Sequence, residues 1–320
     1  MPELLVSAII PAYRRPDKLR KAVHSLLAQD LDPARFEVIV IDSSPDESNK
    51  EVICALQERA PCSLRFFGKE PEGPGPSRNL GAREAHGEFL AFMDSDCVAS
   101  PQWLRQGIVA FQDGVGLVQG RTIPEPGQPH SIFNYYIAVE KESFLYEACN
   151  VFYRRDVFEQ SGGFLSDLDP RSERPRGGED VDLAWRVKRA GWQSRFAPDA
   201  LVMHEVMRIR TRDWLFNKRL YIAPLILRTF PELRKFFFAY YFYDRIQAYL
   251  TLALAAGALT ALTPLALVLA LPYVVSRAAE PTRTLRGPLR LLRVPIYLVR
   301  DLISLAILVA GSLRYRSPLL

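Results

Sequence analysis

The chain has 320 residues, of which 48% are apolar and 11% aromatic, so it can bury a sizeable core and is not disordered overall. Its net charge of +5 is uneven: the part from Glu205 onward has 17 Lys and Arg against 6 Asp and Glu (+11), and the part before it has 24 against 30 (−6). A basic tail behind an acidic body argues against a general nucleic-acid binder and favours a tail that faces an anionic surface.

The first part of the chain alternates strand-like and helix-like segments. Apolar runs predict four buried strands, in "LLVSAIIPAY", "FEVIVIDSSPD", "LRFFGK" and "EFLAFMDSD". Apolar residues at helical spacing predict helices between them, as at Leu19, Val23, Leu26 and Leu27. This alternating order predicts an α/β fold, with an open, mostly parallel sheet and helices on both of its faces.

Polar groups stand where three of these strands end. The first strand ends in Pro11-Ala12-Tyr13, the second in Asp42-Ser43-Ser44 and the fourth in Asp94-Ser95-Asp96. Ligands bind outside the carboxyl ends of the strands in open α/β sheets. The sequence therefore predicts a binding site at this edge of the sheet.

Asp94 and Asp96 are the first candidates for a chemical role at that edge. Two carboxylates held close together repel each other and raise one pKa unless a cation lies between them. Hard oxygen ligands suit Mg²⁺ or Mn²⁺, and Mg²⁺ commonly binds one or two carboxylates together with substrate phosphates. Because Asp-Ser-Asp is also common in solvated turns, the pair indicates a metal site only together with other motifs.

The pattern is mixed beyond Trp103. A helix is followed by the strand "GVGLVQGRTI", and a further helix is predicted in "GGEDVDLAWRVKRAGW". In that helix Val181, Ala184 and Trp185 fall on helical spacing, and Gly191 is a natural end. The segment in front of it, "PRSERPRGG", is polar and rich in Pro and Gly, so a mobile loop is expected there.

The tail contains 31 residues without a charge, Ile246 to Ser276, interrupted by Pro264. A helix of this length exceeds a hydrocarbon core of about 30 Å, so the stretch predicts either one tilted, kinked span or a hairpin that turns at Thr263-Pro264. Basic segments on both sides favour the hairpin. The segment Val294 to Leu313 is interrupted by Arg300-Asp301 and is predicted to lie in the membrane interface. A purely soluble helical subdomain is the remaining alternative.

Five segments of the chain occur together in a characteristic order. They are "VSAIIPAYRRPDKLRKAVHSLLAQ", "FEVIVIDSSPD", "GPGPSRNLGAREAHGEFLAFMDSDC", "NVFYRRDVFEQSGGF" and "GGEDVDLAWRVKRAGW". Together they resemble inverting glycosyltransferase family 2, of bacterial type and with the GT-A fold. The resemblance covers about two thirds of the chain, from Leu4 to Met207. It implies a glycosyltransferase that moves a sugar from a UDP-, GDP- or dTDP-sugar to an acceptor hydroxyl.

The resemblance implies which residues bind the donor. The matching residues would line the base, recognise it, or approach the diphosphate and sugar. They are Pro11, Ala12, Tyr13, Asp42, Arg78, Asn79, Asp94 and Ser95. Ser43 stands where the family often has a second acid or an Asn, so the identity of the base stays open.

The resemblance also implies the metal ligands and the catalytic acids. Asp96 would bind a divalent metal, Mg²⁺ or Mn²⁺, and His204 would supply a further ligand. Asp180 would be the base that takes the proton from the acceptor hydroxyl, and Glu179 would orient it or bind the acceptor.

Three regions follow from these patterns: a GT-A catalytic domain (1–210), basic and aromatic interfacial helices (211–245), and membrane-inserted or membrane-associated helices (246–320). The tail favours the cytoplasmic face of the inner membrane and an acceptor that is a lipid-linked or cell-surface glycan precursor. The cysteines show no metal spacing and "MPELLVSAII" lacks a basic start, so reduced thiols and no cleaved signal peptide are expected. Two alternatives remain, an inactive membrane-bound nucleotide-sugar-binding or assembly protein and a nucleotidyltransferase on a related sheet.

Overall fold

The computed structural model describes residues 4–128, 131, 133–166, 168, 177–279 and 291–320. The chain forms two compact units, Met1–Arg208 and Ile209–Leu320. Most of the predicted loop "PRSERPRGG" lies outside the described residues.

The first unit is built on one eight-stranded sheet and a small two-stranded one. In the described part of the chain the strands are β1 (Val6–Ala12), β2 (Phe36–Asp42), β3 (Ser63–Gly68), β4 (Phe89–Met93), β5 (Cys97–Ala99), β6 (Val115–Pro124), β7 (Asn134–Tyr135), β8 (Asn150–Arg154), β9 (Gln193–His204) and β10 (Met207–Arg208). The large sheet has the order β3-β2-β1-β4-β8-β6-β9-β5, and the small one pairs β10 with β7. Four of the seven neighbouring pairs in the large sheet are parallel, so the sheet is mostly parallel, as predicted.

Helices flank the large sheet. Those described in the first unit are α1 (Pro16–Leu27), α2 (Ser48–Gln57), α3 (Pro74–Glu84), α4 (Trp103–Val109), α5 (Arg155–Gln160) and α6 (Glu179–Arg189), with a short 3₁₀ helix at Pro33–Arg35. The helical spacing in α1 is confirmed, because Leu19, Val23 and Leu26 are all fully buried. These side chains pack into the same core as residues of β1 and β2.

The central strands are buried on both faces, which explains their continuous apolar sequences. All seven residues of β2 are buried, and so are all five of β4. Helix α3 lies directly on this layer, since a Cβ added at Gly81 would stand 2.4 Å from Cγ2 of Ile9. This close approach requires glycine and fixes Arg78, one turn earlier in α3, near the strand ends.

The second unit is helical. Its described elements are α7 (Thr211–Leu215), α8 (Ala223–Thr229), α9 (Arg245–Leu259), α10 (Leu271–Ala279) and α11 (Val294–Tyr315), with 3₁₀ helices at Lys218–Ile222, Pro231–Phe236 and Pro264–Ala270. Helix α9 ends at Leu259, and after a turn the 3₁₀ helix that begins at Pro264 packs back against it. The uncharged stretch therefore turns near Thr263-Pro264 and is not one continuous helix.

Helix α11 is continuous through Arg300 and Asp301. Asp301 is buried, and its carboxylate accepts hydrogen bonds from Arg277 Nε (2.7 Å) and Nη2 (2.6 Å) and from the Tyr273 hydroxyl (2.8 Å). A charge neutralised in this way can remain inside an apolar helix. By length and composition alone, one described helix, Leu291–Tyr315 with a mean hydropathy of 1.8, could cross a membrane.

Candidate active site

A buried arginine joins the end of β4 to the start of α6. Arg78 Nη2 donates to Oδ1 of Asp94 at 2.6 Å, and Arg78 Nη1 lies 3.7 Å from Oε1 of Glu179. The guanidinium lies over the Phe164 ring, 5.5 Å from its centroid. Burial alone would lower the pKa of Arg78, but Asp94 and Glu179 hold it above its usual range. Arg78 therefore stays charged and holds together two carboxylates that would otherwise repel each other.

Asp96 and His204 meet where β5 pairs with β9. Cys97 and His204 are opposite each other in this antiparallel pair, and His204 Nε2 lies 3.9 Å from Oδ1 of Asp96. His204 Nδ1 lies 2.7 Å from the carbonyl oxygen of Glu205. Because a carbonyl only accepts, Nδ1 carries a hydrogen, and Nε2 is the ring nitrogen that faces Asp96.

This donor set fits a divalent cation. Ligand atoms of Asp96, Cys97 and His204 all lie within 4.8 Å of one another. Burial raises the pKa of the Cys97 thiol well above its usual range, so the thiol stays protonated and an oxygen and a nitrogen are the available ligands. Burial, and then the charge of Asp94, raise the pKa of Asp96, which is the situation that a bound cation relieves.

Asp180 has the properties of a base that works near neutral pH. It is partly buried in the first turn of α6, where its Oδ1 accepts a hydrogen bond from Val181 N (3.1 Å) and its Oδ2 one from Ala148 N (3.4 Å). Burial and then the charge of Glu179 raise the pKa of Asp180 to about 7, although Arg78 opposes them. Its carboxyl group can therefore exchange a proton close to physiological pH.

Asp42 is fixed at the end of β2, beside the end of β1. Pro11 and Ala12 pair with Ile41 and Asp42 in the parallel register. Oδ1 of Asp42 accepts hydrogen bonds from Ser44 N (3.1 Å), Ser44 Oγ (2.7 Å) and Asn49 Nδ2 (2.9 Å). Asp42 is thus held rigidly through one of its two carboxylate oxygens.

Tyr13 follows β1 with half of its surface exposed, and Ser95 is half-buried in the turn between Asp94 and Asp96. Sequence reasoning missed Asn49, which is fully buried and also donates to the carbonyl oxygen of Arg14 at 3.2 Å. Its position in the first turn of α2, soon after Asp42, was the only sequence signal for this contact.

The Asn79 side chain is hydrogen-bonded to the main chain of a distant residue, Phe164. Its Nδ2 donates to the carbonyl oxygen of Phe164 at 2.6 Å, and its Oδ1 accepts from Phe164 N at 2.9 Å. Gly163, with φ 66°, completes the contact, because a Cβ there would stand 2.7 Å from Oδ1 of Asn79. Asn79 therefore fixes Phe164, the ring against which Arg78 packs.

Glu147 and Tyr153, which the sequence did not single out, lie near Asp180. The carboxylate of Glu147 accepts from Gln119 Nε2 (2.9 Å) and Ser143 Oγ (3.2 Å), and its charge adds to the causes that raise the pKa of Asp180. The buried Tyr153 hydroxyl has no hydrogen-bond partner among the described residues. Burial and the charge of Asp180 raise its pKa, so it stays a neutral phenol.

A mostly parallel sheet whose strand ends carry acidic groups around a buried arginine is the arrangement expected of a GT-A sugar-nucleotide enzyme. Two family sequence profiles match: "Glycosyl transferase family 2" over residues 7–165, and "Glycosyl transferase family group 2" over residues 89–310. The chain belongs to glycosyl transferase family 2.

Two similar curated proteins are glycosyltransferase AglE of Haloferax volcanii and the pre-mycofactocin glycosyltransferase of Mycobacterium tuberculosis. AglE is 29% identical over 62% of this chain and 66% of its own length. The second is 29% identical over 70% of this chain and 48% of its own length. The chain thus spans 66% and 48% of the lengths of these relatives.

Two solved structures share the fold. One is the mannosyltransferase PcManGT from Pyrobaculum calidifontis in complex with GDP-Man and Mn²⁺, with a TM-score of 0.58, 17% identity, and coverage of 97% of this chain and 86% of that chain. The other is S. aureus TarS 1–349 in complex with UDP, with a TM-score of 0.53 and 17% identity. The match covers 98% of this chain and 92% of that chain. These likenesses confirm the predicted GT-A fold.

Proposed function

We propose that the chain is a metal-dependent, inverting glycosyltransferase that moves a sugar from a nucleotide-sugar to an acceptor hydroxyl. The observation that carries this proposal is the Arg78 guanidinium, which links Asp94 at a strand end to Glu179, the neighbour of Asp180. It places a donor-side and an acceptor-side carboxylate in one site. The complexes of PcManGT with GDP-Man and of TarS with UDP support a nucleotide-sugar donor.

The donor lies along the carboxyl ends of β1, β2 and β4. Tyr13 and Ala12 line the base, and Asp42 reads it through Oδ2, because its Oδ1 is committed to Ser44 and Asn49. Asp94 and Ser95 face the ribose and the sugar. Arg78 stabilises the diphosphate side, whereas Asn79 acts indirectly by positioning Phe164.

Asp96 and His204 hold the divalent cation, Mg²⁺ or Mn²⁺. The lone pair on His204 Nε2 and the carboxylate of Asp96 are suitable ligands for either ion. When bound, the ion acts as a Lewis acid that neutralises charge on the departing diphosphate. The crystallised complex of PcManGT with Mn²⁺ supports a divalent metal as the cofactor.

Asp180 accepts the proton of the acceptor hydroxyl as its oxygen attacks the anomeric carbon. The new bond forms on the face opposite the diphosphate oxygen, which leaves with the electron pair of the broken bond, so the configuration inverts. Hydrogen bonds from Val181 N and Ala148 N orient the carboxylate for this transfer. Glu179 remains paired with Arg78 and keeps the pKa of Asp180 near 7.

The proposal includes a location at the cytoplasmic face of the inner membrane, which features of the second unit support. Helix Leu291–Tyr315 and many exposed apolar side chains, among them Leu262, Leu265 and Leu313, support association with a bilayer. The excess of basic over acidic residues from Glu205 onward fits an anionic lipid surface. An acceptor at the bilayer, lipid-linked or part of a growing cell-surface glycan, follows from this location.

Removal of divalent metal is the experiment that tests the proposal. In excess EDTA, release of nucleoside diphosphate from the preferred nucleotide-sugar should fall about 100-fold or more, and added Mn²⁺ should restore it. A circular dichroism spectrum recorded in EDTA controls for unfolding. Undiminished turnover in excess EDTA would contradict the role given to Asp96 and His204.

A further inference from the structure

Two consecutive non-glycine residues between β1 and α1 have left-handed backbone conformations. Arg14 has φ 58° and Arg15 has φ 60°. Residues with a Cβ are disfavoured in this region, and they persist there only when surrounding contacts hold them. The turn that leads from the base-binding end of β1 into α1 is therefore held in a strained geometry.

Several hydrogen bonds hold this turn. The Ser44 hydroxyl oxygen accepts from Arg14 N at 2.5 Å, and Asn49 Nδ2 donates to the carbonyl oxygen of Arg14 at 3.2 Å. The carbonyl oxygen of Arg15 accepts from Lys18 N (3.0 Å) and Leu19 N (3.2 Å), which starts α1. The turn is thus held at Arg14 and at the start of α1, which fixes the position from which the Arg15 side chain extends.

Arg15 points at the proposed metal site. Its Nη1 lies 3.7 Å from Oδ2 of Asp96 and also contacts Sδ of Met207 at 3.3 Å. The other oxygen of Asp96, Oδ1, faces His204. Lys18, one turn further along α1, forms an ion pair with Glu205 and so anchors the helix beside the same group.

The two acids of the Asp94-Ser95-Asp96 turn thus have very different arginine partners. Arg78 contacts Asp94 at 2.6 Å with a side chain that is 6% exposed, so this pair is fixed. Arg15 contacts Asp96 at 3.7 Å with a side chain that is 53% exposed. A long, exposed side chain at this distance can leave the carboxylate at little energetic cost.

We propose that Arg15 is an exchangeable counter-ion, which neutralises Asp96 until the divalent cation binds and then contacts the diphosphate of the donor. The inference rests on the proposed function. A guanidinium and a divalent cation repel each other, so a cation bound at Asp96 weakens the contact of Arg15 with Oδ2 of the same carboxylate. The diphosphate is the anion that arrives with the metal, and a guanidinium matches the geometry of phosphate oxygens. Arg15 then faces charge that increases on the diphosphate as the sugar departs.

The Arg15→Gln variant tests both roles of Arg15. Loss of the counter-ion should raise the affinity for Mn²⁺, and loss of the phosphate contact should lower the affinity for the nucleoside diphosphate. In the absence of nucleotide, the variant should bind Mn²⁺ about threefold to tenfold more tightly than the wild type, since a competing cation is gone. At saturating Mn²⁺, its affinity for UDP or GDP, whichever the wild type binds, should fall about tenfold. Affinity for the corresponding nucleoside should not change, because Arg15 does not contact the base.

Electron paramagnetic resonance of free Mn²⁺ and calorimetric titration of the nucleotide give these affinities without a turnover assay. Arg20→Gln is the matched control: it removes the same charge from an exposed position of the same helix, and both affinities should stay at wild-type values. Thermal unfolding of both variants checks that they remain folded.

An Arg15→Gln protein with unchanged or weaker Mn²⁺ binding would overturn the inference. Unchanged affinity for the nucleoside diphosphate would overturn it equally, because Arg15 would then leave Asp96 without contacting phosphate. A wild-type protein that bound no Mn²⁺, with or without nucleotide, would overturn the metal site itself and therefore the proposed function, which is a separate outcome.

Discussion

Asp180→Asn is expected to lower the rate of sugar transfer by about 10²- to 10⁴-fold, the contribution typical of a positioned general base. Asparagine has nearly the same shape, and its single amide oxygen can still accept the shorter of the two hydrogen bonds, the one from Val181 N (3.1 Å), so the fold should persist. It cannot take a proton from the acceptor hydroxyl. Transfer assays with the wild type and the variant, at equal concentrations of folded protein, measure the loss.

The rate of sugar transfer and the stability of the wild type should both depend on the ionisation of Asp180. Asp180 accepts a proton only when it is ionised, and its pKa is raised to about 7, so the rate should rise with pH through about 7. The raised pKa also means that the protonated carboxyl stabilises the folded state at acidic pH. That stabilisation should disappear as the pH rises through about 7. In the Asp180→Asn protein the rise in rate with this ionisation should be absent, and the fall in stability should be smaller, because Asp96, whose pKa is also raised, still contributes to it.

Asp182→Asn is the matched control for Asp180. Asp182 lies in the same helix but binds Arg186, with 2.7 Å between the carboxylate and Nη2. Its loss should lower the melting temperature while leaving the transfer rate per folded molecule close to that of the wild type. Full transfer by the Asp180→Asn protein would contradict the assignment of the base.

Arg78→Ala is expected to lower the free energy of unfolding by about 3–5 kcal/mol, the effect typical of removing one partner of a buried ion pair. The change would leave Asp94 and Glu179 without the cation that both contact. It would also leave a cavity beside the Phe164 ring. Urea denaturation of the wild type and the variant measures the difference. Donor binding should weaken as well, because the diphosphate side loses its guanidinium.

Arg83→Ala provides the comparison for Arg78, since Arg83 is exposed on the same helix α3. An exposed substitution of this kind should change the free energy of unfolding by no more than about 0.5 kcal/mol. If Arg78→Ala unfolded at the same urea concentration as Arg83→Ala, Arg78 would not be the link between β4 and α6.

The fold could be predicted from sequence where one local pattern determines it. The continuous apolar runs of β1, β2 and β4 can be buried only inside a sheet covered on both faces, and parallel strands bring their polar ends to one edge. Asp42, Asp94 and Asp96 therefore had to lie at a common edge. Arg78, Asp180 and His204 are further candidate residues of this site. Only the family resemblance predicted them, because no local sequence pattern indicates that they lie at this edge of the sheet.

Contacts between distant segments could not be predicted in this way. The short strand β5 pairs with the end of β9, and only this pairing brings His204 to Asp96 across more than 100 positions of sequence. Asn79 matched a donor-binding motif, yet its amide is occupied by the main chain of Phe164. The sequence also does not show that Asp301 is paired, because its partner, Arg277, lies in a different helix.

The central claim is that Asp96 and His204 form a metal site through which a nucleotide-sugar binds. A panel of UDP-, GDP- and dTDP-sugars, titrated into the wild type and into Asp96→Asn with and without Mn²⁺, tests it most directly. We predict that one class of donor binds the wild type tightly only when Mn²⁺ is present, and that Asp96→Asn loses this metal dependence together with most of the affinity. Donor binding that is equally tight with and without Mn²⁺, or equally tight in Asp96→Asn, would contradict the claim.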